Sequence, residues 1–128
     1  MTEETRAPLY LRGVELFNQG EYFDCHEVWE ELWIEESGED RRFYQGLIQA
    51  AVALYHLENG NAVGSRKLVD SSSTYLREYM PEHCGLDVGA FVTAILRCFE
   101  QNVASHMDGP GDLKGRPIIH LCPPDSDA

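Results

Sequence analysis

The chain has 128 residues, 43% of them hydrophobic and 25% charged, which is the composition of one globular domain with a real core and excludes a disordered or membrane-embedded chain. Twenty-two Asp and Glu face ten Lys and Arg, giving a net charge of −12 at neutral pH. Such a field repels phosphate backbones and anionic lipid heads, so the expectation is no nucleic-acid partner and no membrane partner.

In chain order, residues 1–7 read as a flexible leader. Pro8 suits the first turn of a helix, and Leu9, Gly13, Leu16 and Phe17 recur at helical spacing until Asn18-Gln19-Gly20 stops it. A second helix is expected from about Glu21 to Glu35, broken by Ser37-Gly38. A third spans Glu39 to Glu58 and ends at Asn59-Gly60-Asn61; it carries no charge between Phe43 and Leu57 and is apolar nearly all round, as a buried central helix should be. A fourth runs from about Ala62 to Tyr79, ahead of Pro81, with Leu68, Ser72, Tyr75, Leu76 and Tyr79 on one face. Asp87 can cap a fifth, with the stripe Phe91, Ile95, Cys98 and Asn102, running to about His106.

From Asp108 onward Gly and Pro forbid a helix, and Ile118-Ile119-His120-Leu121 is the apolar island expected to dock an extended tail. Residues 123–128 should be loose. The segments Phe17-Asn18-Gln19-Gly20 and Leu57-Glu58-Asn59-Gly60 each join two helices through a glycine. The predicted fold is therefore all-α: a five-helix bundle of two helical hairpins plus one helix over residues 8–107, with an extended Gly/Pro-rich tail over 108–128 docked on it.

Four cysteines stand at positions 25, 84, 98 and 122, with no CxxC spacing; Cys25 and Cys98 fall within apolar helical patterns. The N-terminus has no apolar run and no stretch is long enough to span a bilayer, which points to a reduced cytoplasmic setting. Eight of the ten basic residues are Arg, and the two Lys are Lys67 and Lys114. An acidic, Lys-poor surface suits concentrated salt, where the Debye length falls to about 3 Å at 1 M, so the expected habitat is a high-salt cytoplasm. A homodimer is the partner that a small helical domain with many aromatics points to.

The run Phe17 to Trp33 holds the densest chemistry. On a helix Tyr22, His26, Trp29 and Trp33 share one stripe, which predicts His26 in the core between aromatic rings, with Glu30 at the stripe's edge and Glu27 turned further outward. Gln45, Gln49 and His56 lie along one stripe of the third helix, which antiparallel packing would bring towards His26 and Glu30. Buried without partners, such groups cost about 1–3 kcal/mol each, so they should satisfy one another or a ligand.

These same residues carry a resemblance. The pattern G-x-Tyr/Phe-x-x-x-H-E-x-W-E-x-x-W, followed by F-x-x-G-L-I-Q-x-A and a later His, is similar to that of a small all-helical prokaryotic family known only as a domain of unknown function, over roughly residues 8–105. The resemblance implies a compact bundle of paired helices and no established reaction. Its signature polar residues fall here on His26, Glu27, Glu30, Gln49 and His56.

Two metal readings are open. His26-Glu27-Val28-Trp29-Glu30 is similar to the H-E-x-x-H helix of zinc proteases, with Glu30 in place of the second His; His26, Glu30 and His56 would then hold a divalent metal beside Glu27 as general base. Alternatively, His83-Cys84 and His120-x-Cys122 could close a tetrahedral zinc site that staples the tail. Ser71 to Thr74 lacks a nucleophile elbow, and Gly60 to Ser65 lacks the Gly-Lys-Ser/Thr ending of a phosphate loop. Two functions remain: a non-catalytic structural or interaction module whose cluster of His26, Glu30, Gln45, Gln49, His56 and Trp29 fixes helix register, or a protein binding a metal or small molecule there, such as a metal-dependent hydrolase. Whether the chain is an enzyme stays open at this point.

Overall fold

The computed structural model describes residues 3–104 and 110–122. Five helices form the fold: α1 (Glu3–Asn18), α2 (Tyr22–Glu35), α3 (Arg41–Glu58), α4 (Ala62–Arg77) and α5 (Val88–Asn102). Helix α1 begins at Glu3, ahead of the expected start, with Pro8 inside it. A proline there forfeits one backbone hydrogen bond. Helix α5 ends at Asn102, short of the expected His106, with Val103 as its C-cap and a turn at 103–104. The expected loose end over 123–128 and the domain boundary at 107–108 lie outside the described residues.

The two hairpins turn on Gly20 (φ 79°) and Gly60 (φ 82°), which take the left-handed conformation that other residues resist. Helix α3 packs against α2, α4 and α5 and contributes ten buried residues, among them Phe43, Leu47, Leu54 and Leu57. Close approach on its α4 side depends on Gly46, where a Cβ would stand 2.8 Å from the Leu76 side chain. In α5, Phe91, Ile95, Cys98 and Asn102 are all buried, and the Asp87 carboxylate accepts from Ala90 N as its N-cap.

Between α4 and α5 lies an element absent from the helical reading. Strands β1 (Glu82–His83) and β2 (Leu86–Asp87) pair antiparallel, with His83 opposite Leu86, across a two-residue turn of Cys84 (φ 51°) and Gly85 (φ 78°). Both turn residues have positive φ, as a tight hairpin turn requires. Two residues per strand are too few for periodicity to register.

Residues 110–122 form neither helix nor strand and lie along the bundle with Leu113 and Ile119 buried. Two asparagine side chains hold them. Asn18 donates to Ile119 O (3.0 Å) and accepts from Ile119 N (2.7 Å); Asn102 does the same at Lys114, at 2.9 and 2.8 Å. Each amide thus mimics one rung of a β-ladder.

Candidate functional site

Helix α2 is divided along its length. Tyr22, Cys25, Trp29 and Leu32, spaced 3-4-3, are buried, while Phe23, Glu27, Glu30 and Ile34, spaced 4-3-4, are exposed. The buried stripe is centred on Cys25 and Trp29. His26 therefore lies beside the core rather than within it, its side chain 18% exposed, which corrects the expectation that it points inward. The reason is α1: Gly13 exposes its backbone to α2, the Cys25 thiol donates to Gly13 O at 3.2 Å, and the Trp29 indole donates to Tyr10 O at 3.2 Å. These contacts rotate Cys25 towards α1 and leave His26 at the margin. Trp29 is thus a core residue.

At one end of α2, Phe23 stacks edge-on with His26 (4.9 Å between ring centres) and packs on Tyr55 of α3 at 5.4 Å. At the other, the Arg41 guanidinium lies 3.9 Å over the Trp33 ring and donates to Trp33 O and Glu36 O. Phe23 meeting Tyr55 and Trp33 meeting Arg41 define an antiparallel pair, with Gln45 and Gln49 at positions between these ends. Arg41 supplies the cation that the C-terminus of α2 lacks in its own last turn.

The polar residues named from the sequence divide as follows. His26 donates through Nδ1 to Phe23 O, and its Nε2 lies 3.9 Å from Glu30. His56 accepts through Nδ1 from Asn61 (3.3 Å), whose Oδ1 caps α4 by accepting from Gly64 N. Gln45 and Gln49 are half-buried, and Gln49 Oε1 is buried with no hydrogen-bond partner. Glu27 is exposed. The ligand atoms of His26, Glu30 and His56 do not gather within 4.8 Å of one another. A chain of ring contacts joins the two imidazoles: His26 meets Phe23, Phe23 meets Tyr55, and Tyr55 meets His56.

Among the described residues one group of three does gather at that distance: Asp40, His83 and Cys84. The second metal reading named His83 and Cys84, but their companion is Asp40 rather than His120 or Cys122. His120 and Cys122 are both exposed, and Cys122 meets the hairpin through its backbone, donating from N to Gly85 O at 2.8 Å. In the sequence Asp40 reads as the start of a helix, and its nearness to His83, 43 positions away, has no local signature.

Burial governs the titration of several groups. The Cys98 thiol is pushed up to about 11 by loss of solvent, against which Arg116 acts, and burial likewise raises Cys25, Tyr10 and Tyr22.

Residues 10–68 match the family model described as "Domain of unknown function (DUF309)". The match runs from α1 into α4 and so contains all of the α2–α3 pair. The chain is similar to "Uncharacterized protein YpuF" of Bacillus subtilis (strain 168), 37% identical over 91 residues, which are 69% of this chain and 52% of that protein. It is also similar to an "Uncharacterized protein" of Aquifex aeolicus (strain VF5), 28% identical over 84 residues, 65% of this chain and 25% of that protein. The chain therefore spans about half the length of one relative and a quarter of the other. Among the described residues no helix is long and apolar enough to cross a membrane.

Proposed function

We propose that this chain is a non-catalytic interaction module whose α2 face docks a basic, amphipathic protein segment. One observation carries the reading: Phe23 (47% exposed) and Ile34 (68% exposed) stand on one outer stripe of α2 with Glu27 and Glu30 between them. Large apolar side chains rimmed by charge are the usual composition of a docking surface. Helix α2 also carries Asp24, Glu31 and Glu35, and it has no Lys or Arg. Charge complementarity then selects a Lys- or Arg-bearing partner. A second copy of this chain would set acids against acids, and so is the poorer occupant of this face.

On this reading His26, Glu30, Gln49 and His56 hold the face in shape rather than bind a metal. The bond from His26 to Phe23 O and the bond from Asn61 to His56 support that role, as does the spread of the candidate ligand atoms. A family match that runs from α1 into α4, and relatives of which this chain spans about half and a quarter, suit a module that works beside other parts of a protein.

The test uses a fluorescent helical peptide with one Leu-rich and one Lys/Arg-rich face, titrated by anisotropy. The double variant Phe23→Ser, Ile34→Ser should weaken binding about tenfold or more, the scale expected when apolar anchors are lost. Val63→Ser, which removes an equally exposed apolar residue on α4, should leave it unchanged. Because the anchors are apolar, the difference should persist at molar KCl, where exposed charges are screened. Equal affinities for the two variants would refute the docking face.

A further inference from the structure

We propose that Asp40, His83 and Cys84 form a binding site for Zn2+ or a similar borderline divalent cation, tying the β1–β2 hairpin to the start of α3. An imidazole nitrogen, a thiol sulfur and a carboxylate oxygen lie within 4.8 Å of one another. That mixed set of donors is the one zinc accepts, and hard cations such as Mg2+ or Ca2+ do not. Three protein ligands leave a fourth position for water or another group.

Two further observations show that these residues are held for something beyond local structure. Asp40 occupies the N-cap position of α3, yet its side chain makes no capping hydrogen bond; its Oδ1 lies instead 2.6 Å from His83 Nε2. An aspartate ordinarily stabilises a helix from that position, so its carboxylate has been diverted. Cys84 holds φ at 51° in a turn that favours Gly, Asn or Asp. A cysteine in a conformation costing it about 1 kcal/mol or more points to a use for the thiol.

The surroundings fix the geometry. The His83 ring is set between Phe43 (4.6 Å) and Tyr79 (4.7 Å), and the Tyr10 hydroxyl donates to Cys84 O at 3.1 Å. Tyr79 is itself anchored by its bond to Glu39 O, one residue before Asp40. Such outer contacts orient metal ligands. Ligand atoms around zinc stand about 3–4 Å apart, so loading would replace the proton between Asp40 and His83 and spread the pair by a few tenths of an ångström to about 1 Å. The side chains of Asp40 and His83 are 20% and 30% exposed, and Cys84 is exposed, so an ion can enter from solvent.

The experiment titrates reduced, metal-stripped full-length protein with Zn2+ against a chromophoric chelator, and with Co2+ followed by absorption. The expected result is one ion per chain and a thiolate-to-cobalt charge-transfer band. Cys84→Ser should abolish that band, and His83→Gln should weaken Zn2+ binding by more than about 100-fold, beyond the cost of losing an outer partner. His26→Gln and His56→Gln should bind as the unaltered chain does, which also separates this site from the α2–α3 pair. Circular dichroism establishes that each variant folds, and Asp40→Asn serves in place of either that does not. No Zn2+ bound at micromolar concentration, or a cobalt band that survives Cys84→Ser, would overturn the proposal.

Discussion

The indole of Trp29 lies directly against the bare backbone of Gly13: a Cβ at position 13 would stand 2.0 Å from Trp29 Nε1. Trp29 is fully buried, and its indole N–H is held by Tyr10 O, so it has nowhere to move. This is the contact that brings α1 onto α2 and sets the rotation of α2. Gly13→Ala should therefore destabilise the fold by about 2–3 kcal/mol, the cost of overpacking a core, even though alanine gains up to about 1 kcal/mol in helix propensity. Urea unfolding measures it; an unchanged or higher midpoint would show that α1 can shift away from α2 at little cost.

The Asn102 amide is buried and satisfies both backbone groups of Lys114, while Asn18 serves Ile119 in the same way nearer the surface. Replacing Asn102 by Ala leaves the part-buried N–H and C=O of Lys114 without this partner and should cost about 1–3 kcal/mol. Asn18→Ala should cost less and act locally. Hydrogen exchange distinguishes the two: the Ile119 amide should lose protection in Asn18→Ala while helix amides keep theirs. Loss of protection throughout the molecule would mean that the tail and bundle unfold as one unit.

The four thiols should separate by environment. Cys84 and Cys122 are exposed and should react with a disulfide reagent at mildly alkaline pH, whereas Cys25 and Cys98 should react only on unfolding. The raised thiols and phenols also set a direction for stability. An unfolded cysteine ionises near 9.0, while folded Cys98 keeps its proton up to about 11. Between those values the folded state binds more protons, so its stability is intact below pH 9 and falls as pH rises towards 11. Thermal melts across that range should show a falling midpoint; a flat profile would mean that the thiols have access to solvent.

Helix α2 should be the first element to fail in dilute buffer. It pairs Glu27 with Glu31 and Glu31 with Glu35 at i,i+4, and each such like-charge pair costs an isolated helix about 0.2–0.5 kcal/mol until salt screens it. If the chain is adapted to concentrated salt, helicity should rise from dilute buffer to molar KCl, with α2 amides gaining the most protection. Full helicity in dilute buffer would remove the high-salt reading and leave an ordinary acidic protein.

Much of the fold could be read from the sequence because helices and their stops are local. Gly20 and Gly60 mark the hairpin turns, the uncharged stretch from Phe43 to Leu57 marks the buried helix, and the stripe ending at Asn102 marks the inner face of α5. The hairpin at Glu82–Asp87 was not legible, since its strands are too short to carry a period.

The side chains that meet were another matter. Periodicity fixes the angle of every residue around its own helix axis, but the neighbour that covers each angle is a property of the packed bundle. One helical position, about 100°, separates Cys25 from His26, and the bare surface at Gly13 decided which of them faced inward. Long-range pairs depend on the same packing: Asp40 with His83, 43 residues apart, and Asn18 with Ile119, 101 apart. The sequence by itself determined an all-helical bundle and an unusual concentration of acids on α2; tertiary structure alone decided that His26 and His56 stand apart and that Asp40 joins His83 and Cys84, because only closure of the chain brings distant polar atoms within bonding reach.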